Sequence, residues 1–203
     1  MIKSVSLRNV RVFRDTGTEF PMADLCVFCG TNSSGKSSIL KSVLLLRQSQ
    51  GIEEPVRVRK GVLRFVGTQV DLGKFATFVS DRRTDALLSI ALEVPHSIDM
   101  AQYRFLRSIS PAAQQQMNES LPNMQCTARV QFTFQGLPAR CLDTMKTSTT
   151  TGGQGHNQLQ GVLTEASFSI KTQTDTLLSW SIQKSDDDPK ADEPAYTMRL
   201  PLK

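Results

Sequence analysis

Residues 25–48 read LCVFCGTNSSGKSSILKSVLLLRQ, and this stretch decides the fold. Its first part, Leu25 to Cys29, is a short apolar run that predicts a buried parallel strand. Residues 30–37 then match the pattern G-x-x-x-x-G-K-[ST] at every fixed position. Beyond them, apolar residues recur mostly at three- and four-residue spacings, which is typical of a helix. Strand, glycine loop and helix follow one another in the order that a phosphate-binding loop requires.

The residue types of this loop indicate how it would bind a nucleotide. Glycines at both ends permit backbone angles and close approaches that a Cβ would obstruct, so that the N–H groups between them can face one concavity. The helix N-terminus adds unsatisfied N–H groups and the positive end of its dipole. Lys36 is predicted to reach the β- and γ-phosphates as the catalytic residue, and the Ser37 hydroxyl to coordinate Mg²⁺. The predicted nucleotide-binding residues are Gly30, Thr31, Asn32, Ser33, Ser34, Gly35, Lys36, Ser37 and Ser38. An N-K-x-D-like motif for reading guanine is missing from the sequence, so the expected ligands are ATP and Mg²⁺.

The composition excludes several classes of protein. The chain has 203 residues, enough to bury a core, and 24 basic against 19 acidic residues give a mild net charge of +5. That charge is compatible with DNA as a partner, and equally with binding only a polyphosphate. No apolar run is long enough to span a bilayer and the N-terminus lacks a signal-peptide core, so a cytoplasmic location is expected. Cys26 and Cys29 would face opposite sides of the predicted strand, which favours core packing over a zinc or redox site.

A family resemblance rests on two parts of the sequence. Asn9, Arg11 and Phe13 form N-x-R-x-F, and the loop reads G-x-N-x-S-G-K-S. Together they resemble the N-terminal lobe of an ABC-type ATPase, in the SMC/RecF/OLD-like branch that includes bacterial AAA-type ATPases of defence systems. The helix end LLLRQS and the later V-D-L-G followed by an aromatic residue are similar to one subgroup of these ATPases. The resemblance implies that Arg11, with Arg14 as a second candidate, lies near the nucleotide; the alternative is a solvated arginine on a strand edge.

The predicted fold is α/β: a P-loop NTPase lobe with an ABC-type mixed sheet and an antiparallel β-rich subdomain. We assign residues 1–95 to the ATPase lobe and residues 96–203 to a β-rich continuation, because five later segments largely alternate apolar and polar residues. A polar stretch near 147–160 is predicted to be a flexible loop. Residues 52–60 are interpreted as a connector.

Two parts of the hydrolytic machinery are missing from the sequence. Neither an apolar strand ending in an acidic pair nor an LSGGQ-type signature was found, although hydrolysis needs a group that holds Mg²⁺ and one that positions water. The family also uses a glutamine to sense the γ-phosphate through Mg²⁺. Gln69 is the candidate for that metal-binding role, and its alternative is a surface glutamine in a hairpin turn.

The leading hypothesis is therefore an ATP-binding lobe that works by ATP-driven dimerisation or higher assembly. Family resemblance implies a second ATPase lobe or a nuclease-like effector as partner, acting on DNA or against phage, with no membrane involved. The alternative is a non-hydrolysing regulatory subunit that senses nucleotide. A small-molecule kinase shares the loop, but the β-rich second half argues against it.

Overall fold

Seven β-strands form a single sheet in the computed structural model, which describes residues 1–49, 61–97, 125–138, 159–172, 176–185 and 196–199. The strands are β1 (Ser4–Arg8), β2 (Thr18–Pro21), β3 (Leu88–Ser97), β4 (Gln125–Pro138), β5 (Leu159–Lys171), β6 (Thr176–Lys184) and β7 (Tyr196–Arg199). Their order is β2-β1-β3-β4-β5-β6-β7, and every pairing is antiparallel. Two α-helices accompany them, α1 (Lys36–Ser49) and the single turn α2 (Phe75–Phe78), and a short 3₁₀-helix follows at Ser80–Arg82.

The alternation of apolar and polar residues decides which side of the sheet faces the core. In β1, Val5 and Leu7 are buried, and they pair with Leu92 and Ile90 of β3. Because side chains alternate along a strand, one face of the sheet becomes apolar and the other polar. On the polar face Arg129 donates to Glu93 across 2.9 Å.

The core lies between the apolar face of the sheet and the two helices. Ile39 and Leu45 of α1 and both phenylalanines of α2 belong to the same buried cluster as Leu7. The Phe75 ring lies over Gly136 of β4 and Gly161 of β5, which pair with each other. A Cβ on Gly136 would come within 2.5 Å of that ring, so α2 needs this close approach to the sheet.

Residues 25–29 do not form the buried parallel strand that the sequence predicts. They have no regular secondary structure, and Leu25 and Val27 are 84% and 76% exposed. A parallel strand requires a neighbouring strand, and among the described residues none lies beside this segment. The sheet formed by the described residues is purely antiparallel, so the predicted ABC-type mixed sheet is not confirmed.

The two cysteines of that segment are correspondingly not in the core. Cys26 and Cys29 are both exposed free thiols, so the prediction of core packing was wrong. The Cys26 sulfur accepts a hydrogen bond from the Ala23 N–H at 3.0 Å. Within the described ranges, no group of three His, Cys, Asp or Glu side chains could hold a metal ion.

The sheet continues across the boundary predicted at residue 95. β3 contains that boundary, pairing with β1 on one side and with β4 on the other. All five segments predicted as strands after residue 86 form strands; four are longer than predicted, whereas β7 is described only over Tyr196–Arg199. The predicted connector at 52–60 and most of the polar stretch (147–158) lie outside the described residues, whereas Leu159 and Gln160 begin β5.

Candidate nucleotide-binding site

The loop at residues 30–35 is wrapped around the side chain of Lys36. The Lys36 ammonium donates to the carbonyl oxygens of Gly30 at 2.8 Å and Thr31 at 2.6 Å, and lies 3.5 Å from the Ser34 hydroxyl oxygen. Three residues of the loop have positive φ: Gly30 at 151°, Ser33 at 64° and Gly35 at 94°. Positive φ at Ser33 and Gly35, on either side of Ser34, is typical of loops whose N–H groups bind an anion.

The N-terminus of α1 presents free donors at this concavity. Within the described chain, the N–H groups of Gly35, Lys36 and Ser37 have no hydrogen-bond acceptor. Ser38 is the first residue of α1 whose N–H is bonded, to the Gly35 carbonyl at 2.9 Å. These donors lie at the positive end of a helix of 14 residues. An anion such as a phosphate group fits this arrangement, because it would satisfy the free donors and interact favourably with the dipole.

The two serines at the start of α1 have different environments. Ser37 is exposed, as a metal-coordinating hydroxyl must be, whereas Ser38 is 3% exposed and faces the interior. The Ser38 carbonyl accepts the Ser42 hydroxyl at 2.7 Å. Ser38 thus belongs to the helix packing, although the sequence pattern had placed it among the nucleotide-binding residues.

Arg11 lies in a tight turn that packs against the loop. Val10 and Phe13 exchange backbone hydrogen bonds of 2.9 and 2.8 Å, which leaves Arg11 and Val12 as the turn residues. Val12 and Phe13 cover Gly35, where a Cβ would come within 2.6 Å of both side chains. The structure therefore brings the N-x-R-x-F segment and the glycine loop together, although they are separated by 16 residues in the sequence.

Phe78 contacts Arg11 through both its backbone and its ring. The Arg11 N–H donates to the Phe78 carbonyl at 2.8 Å, and the Arg11 guanidinium carbon lies 5.7 Å from the centroid of the Phe78 ring. This cation–π contact and the left-handed backbone of Arg11 (φ 49°) show that the residue is held in a defined position, which differs from a freely solvated arginine on a strand edge.

Asn9 secures the same turn from its other end. Its side-chain amide donates to the Leu87 carbonyl at 2.8 Å, and its backbone carbonyl accepts the Ser80 N–H at 3.1 Å. Asn9 is 5% exposed and has a left-handed φ of 56°, a conformation that asparagine tolerates better than most residues. The asparagine in N-x-R-x-F is thus a structural residue.

Gln69 is not brought to the loop. Its N–H donates to the side-chain oxygen of Gln48, which lies in the last turn of α1. Lys36 and Gln48 are twelve residues apart on one helix, which corresponds to roughly 18 Å. Gln69 therefore lies near the opposite end of α1 from Ser37, in a hairpin where Val66 pairs with Asp71.

Comparison with known families gives an assignment for most of this region. The model of the AAA ATPase domain matches residues 1–120, which is more than half of the chain. The chain belongs to the AAA ATPase domain family. Searches among curated proteins and among solved structures found no match. The AAA ATPase domain is a nucleotide-binding P-loop domain, in agreement with the loop geometry at Lys36.

Some residues of this AAA ATPase domain could not be assigned a role from the sequence. Phe78 follows the V-D-L-G motif, but nothing local shows that its ring meets Arg11 from more than sixty positions away. Gln48 could have been noticed only as a polar residue in the apolar helix that follows the loop.

No helix in the described part of the domain is long and apolar enough to cross a membrane.

Proposed function

We propose that this AAA ATPase domain binds Mg²⁺-ATP as the N-terminal lobe of an ABC-type, SMC/RecF/OLD-like ATPase. The observation that supports this proposal most strongly is the set of free N–H groups at Gly35, Lys36 and Ser37 above a closed glycine loop. Phosphate oxygens would accept hydrogen bonds from those N–H groups. The Lys36 ammonium would give up its hydrogen bonds to the loop carbonyls and bind the β- and γ-phosphates instead.

Mg²⁺ fits the exposed Ser37 hydroxyl. Magnesium usually keeps several waters and is bound through few protein oxygens plus substrate phosphates, so one hydroxyl beside the phosphate-binding donors is a sufficient protein contribution to binding. The ion would supply charge neutralisation of the triphosphate. Since Gln69 lies near the other end of α1, we do not propose it as a ligand in this conformation.

A second lobe is needed for turnover. In the described chain, the backbone N–H and C=O groups of residues 25–29 form no hydrogen bonds with other backbone groups, and Leu25 and Val27 are exposed. An apolar, exposed segment with an unpaired backbone is suited to pairing with another strand. We propose that a second ATPase lobe supplies that strand together with the acidic residue that the sequence lacks.

We also propose that this domain is coupled to an effector. ATP-driven dimerisation and signalling to a nuclease-like subunit, in DNA repair or defence against phage, are supported by the family resemblance, and the mild positive charge of +5 is compatible with DNA. A non-hydrolysing nucleotide sensor is the second candidate. It is favoured by the sequence, which contains no apolar strand ending in an acidic pair.

Retention of radiolabelled ATP by the purified chain, with competition by unlabelled ADP and GTP, tests the proposal. We expect Mg²⁺-ATP to be retained, GTP to compete poorly, and no ADP to form during the incubation. Equal competition by GTP would contradict the assignment of ATP. Sustained hydrolysis that depends on Lys36 would contradict the need for a second lobe.

A further inference from the structure

The side-chain amide of Gln48 is fully used inside the protein. Gln48 lies in the last turn of α1 and is 7% exposed. Its nitrogen donates to the carbonyl oxygens of Arg64 at 2.6 Å and Val70 at 3.1 Å. Its oxygen accepts the N–H groups of Gln69 at 3.2 Å and Val70 at 3.0 Å. All the hydrogen-bond donors and acceptors of the Gln48 amide are thus paired with backbone groups of residues 64–70.

These hydrogen bonds hold the clamped hairpin, by which we mean residues 64–72. The hairpin closes on itself through the Val66–Asp71 pair and through a hydrogen bond of 2.8 Å from the Leu72 N–H to the Phe65 carbonyl. Gly67 lies directly on the Gln48 amide, because a Cβ at this position would be 2.5 Å from the Gln48 amide carbon. The neighbouring Ser49 hydroxyl also accepts the Arg64 N–H at 2.9 Å.

The clamped hairpin in turn positions α2. The Phe65 ring makes edge-to-face contacts with the rings of Phe75 and Phe78, at centroid distances of 6.0 and 5.5 Å. Three buried aromatic rings in such contact fix one another more firmly than aliphatic side chains of the same area would. The chain also passes from Leu72 into α2 after only Gly73 and Lys74.

The path of contacts ends at the nucleotide site. The Phe78 carbonyl accepts a hydrogen bond from the Arg11 N–H, and the Arg11 guanidinium lies over the Phe78 ring. Val12, beside Arg11, covers Gly35. The phosphate loop is therefore connected to Gln48 by α1. Gln48 is in turn connected back to the loop by contacts through the clamped hairpin, Phe78 and Arg11.

We propose that Gln48 is a positioning residue for Arg11. Its amide fixes the clamped hairpin, the hairpin fixes Phe78, and Phe78 holds the Arg11 side chain ready for the nucleotide. The inference rests on the proposed function, and on the family resemblance, which implies that Arg11 lies near the bound ATP. It also gives a role to two motifs, the polar end of LLLRQS and the V-D-L-G segment, that the phosphate loop alone does not explain.

A double-mutant cycle on the full chain tests this coupling. Gln48→Met keeps the length of the side chain and removes its four hydrogen bonds, and Arg11→Ala removes the guanidinium. We expect Arg11→Ala to weaken Mg²⁺-ATP binding by about tenfold, the effect of one lost charge-assisted hydrogen bond. Gln48→Met should weaken binding by about fivefold when Arg11 is present and by less than about twofold when it is absent, because coupled sites are not additive.

Two further variants separate positioning from a general loss of stability. Gly67→Ala displaces the clamped hairpin while Gln48 is intact, and it should reproduce the defect in ATP binding in the same Arg11-dependent manner. Ile170→Ala removes core volume on β5, away from this path, and should lower stability without changing ATP affinity. Binding is measured at a temperature where every variant is folded.

Equal effects of Gln48→Met with and without Arg11, or an unchanged ATP affinity, would overturn the proposal. A wild-type chain that binds no ATP, or a Lys36→Ala variant that binds as well as wild type, would instead refute the proposed function. Hydrogen exchange then decides the positioning role without nucleotide. Gln48→Met should accelerate exchange of the Arg11 amide and Ile170→Ala should not, and unchanged exchange of that amide in Gln48→Met would overturn the coupling.

Discussion

Gly35 shows how strongly the phosphate loop depends on single residues. Its φ of 94° is unfavourable for any side chain, and the space for a Cβ is already occupied by Val12 and Phe13. The motif requires glycine here for two separate reasons, backbone conformation and contact with the Arg11 turn. Only the first of these reasons is visible in the sequence.

Gly35→Ala should therefore cost more stability than a substitution opposed by backbone conformation alone. We expect a loss of about 3 kcal/mol, from left-handed strain plus overpacking. Gly73→Ala is the matched control, because Gly73 has a φ of 74° but its Cβ position has only an ordinary contact at 3.5 Å. That control should lose about 1 kcal/mol in urea unfolding. Equal losses would show that the Arg11 turn does not press on the loop.

At the scale of elements, local patterns were predictive and pairings between distant segments were not. The helix α1 could be predicted from the spacing of its apolar residues, but its buried face could not, because that face includes Ser38, Ser42 and Gln48. The segment 25–29 has the composition of a parallel strand, but a strand depends on its neighbours. The Arg11 site depends on Phe78 from another element, and Gln48 depends on the clamped hairpin; no periodicity reports either contact.

Identical substitutions in β1 and in the segment 25–29 test the exposure of the latter. Val5 is 2% exposed and Val27 is 76% exposed. Val5→Ala should lower the unfolding free energy by about 2 kcal/mol through lost burial and a cavity. Val27→Ala should change it by less than about 0.5 kcal/mol, as substitutions at exposed positions usually do. A comparable loss for both variants in urea titrations would mean that residues 25–29 are packed in the isolated chain.

The whole described molecule is organised by one antiparallel sheet, with the phosphate loop at the start of a helix on its apolar face. From β3 to β7 the strand order follows the chain, in agreement with the predicted antiparallel β-rich subdomain. The pairing of β1 with β3 could not be read from the sequence, because residues 9–87 separate these two strands. The edge strand β7 is tied inward by Tyr196, whose hydroxyl donates to the Leu163 carbonyl at 3.2 Å. Burial raises the pKa of Tyr196 to about 12.

Stability should consequently fall at alkaline pH. The folded state keeps the Tyr196 proton up to a pKa of about 12, whereas the unfolded chain loses it near the ordinary tyrosine pKa of 10.0. The unfolded state then binds fewer protons, so stability is fully present below pH 10 and declines between pH 10 and about 12. Tyr196→Phe should make that decline shallower in urea midpoints measured across the range. An unchanged slope would show that the edge tyrosine is not buried.

Calorimetric titration of Mg²⁺-ATP into the wild-type chain and into Lys36→Ala tests the central claim most directly. The claim is that the free donors at the start of α1 and the Lys36 ammonium form a working triphosphate site. We predict saturable binding by wild type, and loss of that binding in a Lys36→Ala variant that remains folded. Equal heats of binding from both proteins would contradict this claim, because Lys36 would then contribute nothing to the binding of ATP.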